Sequence, residues 1–409
     1  MKEDEEHEIK SSRIPTTRIA YIGILLFGII SLLGDIIYEG ARGIIPPYLY
    51  LLEASALIVG IAGGVGDFLG YSLRLLSGYV ADTTRAYWLL TFLGYALLLA
   101  IPALALTSNW QFALALVLVE RLAKAIRTPA RDTLLSYVSR KLGAGKAFGL
   151  HELLDQIGAV VGPMIVAFVL YTSANDYRFT FSTLVIPYIL LVASIIVTYL
   201  KLNPYTKVEN LISSKNGTEK WKPTITFSLY TLAVAFNTAG LVHITLILYR
   251  ISPLMIPWMI SILYLVVQLV DALSAPLAGL IYDRIGRIIL LVPFGLSIVP
   301  SILVFSPNLN ILIVAALFFG IIYGMHESIY RAAVADLSPI TGRGFAYGLF
   351  YTAYGIGFLI GGVVFGQLLD MNLYIIGICY TIIMQVLAVA LLLKSVKASS
   401  KTSSQSIPL

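Results

Sequence analysis

GKAFGLHELLDQIGAVVGP, residues 145–163, lines up with GFAYGLFYTAYGIGFLIGG, residues 344–362, at an offset of 199. GYVADTTR at 78–85 lines up with GLIYDRIG at 279–286, at an offset of 201. Two separate matches at nearly one offset mean that a unit of about 200 residues is duplicated. The surrounding sequence is apolar for most of its length. Runs of about 20 apolar residues can cross a bilayer, and twelve are legible, roughly 19–51, 56–81, 86–107, 110–138, 146–171, 179–201, 224–250, 254–282, 287–306, 309–338, 343–369 and 372–395. The longest polar connection, 202–223, holds Lys207, Lys215, Lys220 and Lys222 and divides these runs six and six. The expected architecture is an all-α polytopic membrane protein with twelve transmembrane helices in two pseudo-symmetric six-helix bundles. A tail spans 1–18, the first bundle 19–201, a linker 202–223, the second bundle 224–395 and a second tail 396–409. Both tails read as disordered.

Composition agrees with this class. The chain is 58% hydrophobic and 12% charged, where soluble domains carry about 25% charged residues. The first eighteen residues lack an apolar core with a small-residue cleavage site, so no secretory signal is read. Cys379 is the single cysteine, which excludes a disulfide framework and a cysteine-based metal or redox centre. The four histidines have no ligand spacing, and no metal or cofactor is expected. GIAGGVG at 60–66 lacks the Gly-Lys-Ser/Thr of a phosphate-binding loop, so energy is expected from a gradient and not from ATP. No hydrolytic triad or metalloprotease motif is present, and no enzyme is expected.

Lys and Arg set the expected orientation. With both ends in the cytoplasm, 19 of the 28 lie in inner segments, and only Arg178 and Arg250 lie in outer loops. This positive-inside bias places both termini in the cytoplasm, accounts for the net charge of +6 and makes nucleic acid an unneeded partner.

Charged residues inside the runs point to a pathway. Asp35, Glu39 and Arg42 follow i, i+4, i+7 and share one helical face. An ionisable group at the centre of a membrane helix costs about 2.5–3.5 kcal/mol on insertion scales, so such a face meets protein, water or ligand. In the fourth run, VERLAKAIRTPARD, Lys124, Arg127 and Arg131 share a face, and Glu120 precedes Lys124 by four. Spans 3, 6, 9 and 12 have no charged residue in their apolar cores and are free to face lipid. At 1.5 Å per residue, Asp35, Asp67, Glu120 and Arg121 fall near the midplane with Glu39 and Lys124, and Arg42 lies further out. Arg74, Arg127, Arg131, Asp132, Glu152 and Asp155 fall in the inner half, with Asp82 below them. Pro129 is expected to bend the fourth span.

The chain resembles the major facilitator superfamily. Gly279, Asp283, Arg284, Gly286 and Arg287 match that family's G-x-x-x-D-R-x-G-R loop motif, and Gly78 and Asp82 begin a partial first copy in which Thr83 and Arg85 replace the Arg and the Gly. Gly158, Gly162 and Pro163 match its G-x-x-x-G-P motif of span 5, which the family associates with exporters that exchange substrate for protons. Arg121 meets in part a further motif of span 4. RTPARD with the 145–163 stretch resembles a largely uncharacterised prokaryotic branch. The resemblance implies alternating access, with spans 1, 4, 7 and 10 around the pathway.

The expected function is secondary active transport at the plasma membrane by a monomer, with a small molecule and protons as partners. Proton-coupled efflux of a small organic or amphiphilic compound comes first, and proton-coupled uptake of a small organic anion, held by Arg42, Arg121 and Lys124, is the alternative. The pathway set is Asp35, Glu39, Arg42, Asp67, Glu120, Arg121 and Lys124. The cytoplasmic gate set is Arg74, Asp82, Arg127, Arg131, Glu152, Asp155, Asp283, Arg284 and Arg287. A receptor of this architecture would carry an added soluble domain, for which the linker and tails leave no room. Asn237, Gln268, Tyr323, Tyr351 and Tyr354 are expected to form an uncharged wall opposite the ionic one, whereas His243 and His326 are expected to be packed or hydrogen-bonded.

Overall fold

The computed structural model describes residues 16–139, 142, 144–212, 221–339 and 343–404. Lys2, Lys10, Arg13, Arg140, Lys141, Lys215 and Lys220, counted above in the inner segments, lie outside the described residues. The first six spans form α1 (Thr17–Arg42), α2 (Ala56–Thr84), α3 (Tyr87–Leu106), α4 (Trp110–Ser139), α5 (Ala144–Thr172) and α6 (Val185–Ile212). The second six form α7 (Ile225–Ile251), α8 (Pro257–Ile285), α9 (Leu291–Leu296 and Ile298–Leu303), α10 (Leu309–Leu337), α11 (Arg343–Asp370) and α12 (Tyr374–Ser404). Starts are marked by side-chain caps that satisfy otherwise orphaned N–H groups. Thr16 accepts from Ile19 N, Ser55 from Ile58 N and Thr224 from Phe227 N.

Among the described residues, ten helices are long and apolar enough to cross a membrane by length and composition. Two facts reconcile ten with twelve. α4 carries too many charges to qualify, and Pro257–Leu303 counts as one apolar stretch although it turns back at Gly286. There Gly286 has φ 66° and ψ −151°, a conformation open essentially to glycine alone. In the first repeat the aligned residue is Arg85, which turns the chain at φ 55° and ψ 19° despite its side chain. Gly286→Ala is therefore expected to lower stability by about 1–3 kcal/mol. Thermal unfolding in detergent would show a lowered midpoint, and an unchanged midpoint would contradict the backbone argument.

Two sequence expectations need correction. The linker expected at 202–223 begins as helix, because α6 continues to Ile212. The tail expected at 396–409 also begins as helix, because α12 continues to Ser404. In both places polarity marks where the apolar stretch ends and not where the helix does. Pro129 lies inside α4, which runs on through it. A proline frees the carbonyl four residues earlier, and here that carbonyl, Ala125 O, accepts from Ser77 Oγ of α2 at 2.6 Å.

The apolar windows of α6 and α12, two of the charge-free spans, are 22% and 28% buried and lie outermost, whereas that of α7 is 83% buried. Small residues set the closest contacts. Gly158 and Gly162 of α5 lie on the backbone of Leu32, Ile36 and Gly40, behind the charged stretch of α1. Gly60 and Gly64 of α2 lie on Phe358 and Gly362 of α11, which joins the two halves.

Candidate functional site

A cavity of about 870 Å³ lies between the halves. α1, α2, α4 and α5 line it from the first half, and α8, α10 and α11 from the second. Its walls include Asp35, Glu39, Arg42, Arg74, Lys124, Glu152 and Asp155 on one side and Gln268, Asp271, Tyr323, Glu327 and Arg331 on the other. The far side, away from the termini, is closed by contacts between halves. Tyr249 Oη donates to Ala54 O at 2.9 Å, Ser261 Oγ to Pro163 O at 3.0 Å and Trp258 N to Asn175 Oδ1 at 3.4 Å. The carboxylate of Asp370 at the end of α11 accepts from Ala56 N and Leu57 N at 2.8 and 2.9 Å, capping α2 across the interface. Toward the terminal side Glu152 and Gln156 are exposed, and Arg331 is 48% exposed.

Glu39 sits where the closed side meets the cavity. It is 5% exposed. Arg42 Nη1 donates to one carboxylate oxygen at 2.6 Å, and Tyr264 Oη and Gln268 Nε2 of α8 donate to the other at 2.7 and 3.4 Å. Gly43 lies against the Tyr264 ring, so α1 and α8 are in direct contact there. One turn earlier, Asp35 is 4% exposed and lines the cavity beside Gly158.

A second bond between halves joins Asp67 of α2 to His243 of α7, with Nε2 and Oδ2 3.2 Å apart. His243 sits in the break between Ala239 and Ile244. Its Nδ1 accepts from Thr245 N at 3.2 Å, which leaves the ring proton on Nε2 facing Asp67. This agrees with the hydrogen-bonded histidine expected above. Arg121 Nη1 stands 4.0 Å from the other Asp67 oxygen, and its Nε stands 3.4 Å from Glu120. Buried Arg121 and Glu120 thus face the Asp67 junction, not Glu39.

The expected gate residues are spread over several partners. Arg131 binds Asp132 through Nε and Nη2 at 3.0 and 2.8 Å and donates from Nη1 to Ser31 at 2.8 Å. Ser31 in turn donates to Asp155. Tyr87 donates to Asp82 at 3.0 Å within the first half. In the second half Tyr282, and not the neighbouring Asp283, donates to Asp336 at 2.7 Å. Asp283 and Arg284 are exposed, and Arg287 is half-buried. Among the described residues, none of Arg74, Asp82, Arg127, Arg131, Glu152, Asp155, Asp283 and Arg284 is hydrogen-bonded or ion-paired to the opposite half. None of these eight described residues thus latches one half to the other.

Aromatic rings fill the space between these charges. Tyr38 of α1 lies among three cations, with Lys124 Nζ 4.4 Å, Arg42 5.3 Å and Arg127 5.4 Å from its ring centre. Tyr71 of α2 stacks on Tyr351 at 5.3 Å, bonds Tyr323 Oη at 3.1 Å and carries Arg74 over its ring at 5.1 Å. α10 widens into a π-helical turn at His326–Tyr330, a deformation frequent at functional sites. That turn and the residue after it bring Glu327 and Arg331 to the cavity, 3.9 Å from each other. Two expectations fail here. The second-half wall is ionic as well as aromatic, through Asp271, Glu327 and Arg331. Asn237 belongs to a buried network with Ser297, Tyr330 and Gln385 and is no cavity group. Tyr38, Tyr71 and Tyr264 were not singled out from sequence; the position of Tyr38 one before Glu39 was its only signal.

Comparison with known proteins agrees with this architecture. The family model of the Major Facilitator Superfamily matches residues 24–248 and 224–407. An uncharacterised protein of Mycobacterium tuberculosis is 33% identical over 378 residues, covering 90% of this chain and 92% of that protein. An uncharacterised MFS-type transporter of Methanocaldococcus jannaschii is 27% identical over 355 residues, covering 84% and 88%. Among solved structures, the nucleoside transporter NupG aligns with a TM-score of 0.69 at 16% identity, covering 90% of this chain and 98% of that one. A POT family transporter in complex with a thioalcohol-conjugated peptide aligns at 0.68 and 13% identity, covering 96% and 99%. With a duplicated helical fold, a cavity between its halves and a family match along nearly the whole chain, this protein belongs to the Major Facilitator Superfamily of transporters.

Proposed function

We propose that the chain is a secondary active transporter of the plasma membrane, with both termini cytoplasmic, and that it exports a small organic compound in exchange for protons. The halves 19–201 and 224–395 are the rocking bodies and the 202–223 segment is their link. A single observation carries the reading: Glu39 is a buried carboxylate held at once by Arg42 of its own half and by Tyr264 and Gln268 of the other. Separation of α1 from α8 removes two of its three donors and admits water. Such a change of partners between two states is what a proton-coupling carboxylate requires. Asp35, one turn away on the same wall, is the second candidate for this role.

Export is favoured by the resemblance of Gly158, Gly162 and Pro163 to the family's exporter-associated motif. Uptake of an organic anion with protons remains the second reading, favoured by Lys124 on the cavity wall. The structural neighbours are a nucleoside transporter and a POT family transporter, so fold alone chooses no solute. The test uses everted vesicles with an imposed proton gradient and a pH-sensitive dye. An exported compound collapses the gradient on addition and accumulates inside, while a vector control does neither. A symported compound moves only with the gradient in the opposite sense. No gradient response to any member of a broad metabolite and drug library, with purified protein bound to none, would refute the proposal.

A further inference from the structure

A chamber of about 700 Å³ adjoins the main cavity on its terminal side, bounded by Asp35, Tyr38, Arg74, Lys124, Arg127, Arg131, Glu152 and Asp155 among others. Its cations are not equivalent. Arg131 is taken up by Asp132 and Ser31. Arg74, Lys124 and Arg127 have no carboxylate within ion-pair distance among the described residues. Lys124 donates only to the Tyr38 hydroxyl, at 3.0 Å. Arg127 is 3% exposed, packs on the rings of Tyr38 and Tyr95 at 5.4 and 5.0 Å, and leaves Nη1 without a hydrogen-bond partner. Nε of Arg74 is likewise buried without a partner. A buried guanidinium is normally paired, and ring faces offset only part of its lost hydration.

The cations named for an anion from sequence do not serve. Arg42 is occupied by Glu39, and Arg121 faces Glu120 and Asp67. Only Lys124 of that set keeps its charge uncommitted. We propose that Arg74, Lys124 and Arg127 form a subsite for the anionic group, a carboxylate or phosphate, of the transported compound. Two guanidinium forks and an ammonium are the donor set that such oxygens match. The three come from α2 and α4 on one half, and Arg331 of α10 borders the same chamber from the other half. An anion seated there is drawn toward both halves, which favours closure of the open side. Asp35, Asp132, Glu152 and Asp155 border the chamber too; Asp132 is bound by Arg131 and Asp155 accepts from Ser31.

This inference rests on the transport reading only in that the solute enters the cavity; binding is measured without any gradient, so the two can fail separately. Purified full-length protein in detergent is titrated with benzoate, succinate, phenyl phosphate and inorganic phosphate, and unfolding temperature is recorded at constant ionic strength. Choline and phenylethylamine serve as cationic controls. At least one organic anion is expected to raise the midpoint saturably, by about 3 °C or more at about 100 times its Kd. Lys124→Gln and Arg127→Gln should each weaken its half-saturation about tenfold or more. If Arg127→Gln does not purify as a monodisperse species, Lys124→Gln and Arg74→Gln decide. Carboxylates acting alone would assign a carboxylate subsite, and phosphates acting alone a phosphate subsite. Equal stabilisation of wild type and variants, stabilisation by the cationic controls alone, or no saturable response to any anion would overturn the assignment.

Discussion

Glu39→Gln is expected to abolish proton-driven movement of substrate while leaving the protein folded. Glutamine keeps the size of the side chain and a carbonyl oxygen for Tyr264 and Gln268, but it cannot ionise. Each hydrogen bond to a charged group contributes about 1.5–3 kcal/mol, and the bond from Tyr264 crosses between the halves at 2.7 Å. Weakening it shifts the balance of open and closed states by roughly 10- to 100-fold. Substrate-for-substrate exchange, which needs no net proton movement, is expected to survive. Proteoliposomes loaded with substrate and given a pH gradient measure the first quantity, and isotope exchange measures the second. Asp35→Asn is the companion experiment. Gradient dependence preserved in both variants would remove the proposed coupling site.

The second large effect is expected at the glycine contact between α2 and α11. A Cβ on Gly60 would collide with the carbonyl oxygen of Gly362, and one on Gly362 with that of Gly60. Backbone cannot yield as a side-chain tip can, and overpacking typically costs about 1–3 kcal/mol or more. Gly60→Leu should therefore lose the monodisperse peak in size exclusion or unfold many degrees earlier. Gly70 of the same helix is the internal control, since a Cβ there meets nothing within 4 Å. Gly70→Ala should unfold at the wild-type temperature or above it, because alanine is the better helix former. Equal loss in both variants would contradict the claim that the interhelical approach sets the outcome.

Much of this was legible in the sequence because membrane chains separate polar from apolar residues so strictly. Spacing within one helix put Asp35 and Glu39 on a common face, and both line the cavity. The absence of charge from spans 3, 6, 9 and 12 agrees with the exposure of α6 and α12. What spacing cannot give is the partner across helices. Lys124 followed Glu120 by four, yet its ammonium goes to Tyr38 of α1, while Glu120 faces Arg121. Asp67 reached His243 over 176 residues of chain, a pairing no local pattern encodes. Asn237 looked like a cavity amide because a polar residue in a membrane helix signals a wet site or a polar partner alike; Gln385 and Ser297 were the partners. Tyrosines misled for a similar reason. Their rings suit packing and their hydroxyls suit polar contacts, so sequence did not distinguish Tyr38, in its ring of cations, from Tyr230, which packs on Phe350.

The central claim is that the charged face of the first half borders a wet crevice between two bundles and is kept out of lipid. Solvent access to single cysteines tests it most directly. With Cys379→Ser as background, Gln156→Cys and Asp271→Cys lie on the cavity wall, whereas Leu273→Cys and Val386→Cys lie on outward-facing apolar surface, at 67% and 60% exposure. A charged, membrane-impermeant thiol reagent applied from the terminal side should modify the first pair rapidly and leave the second pair unmodified. Slow modification of Gln156→Cys and Asp271→Cys, at the rate of the apolar-surface pair, would contradict the account.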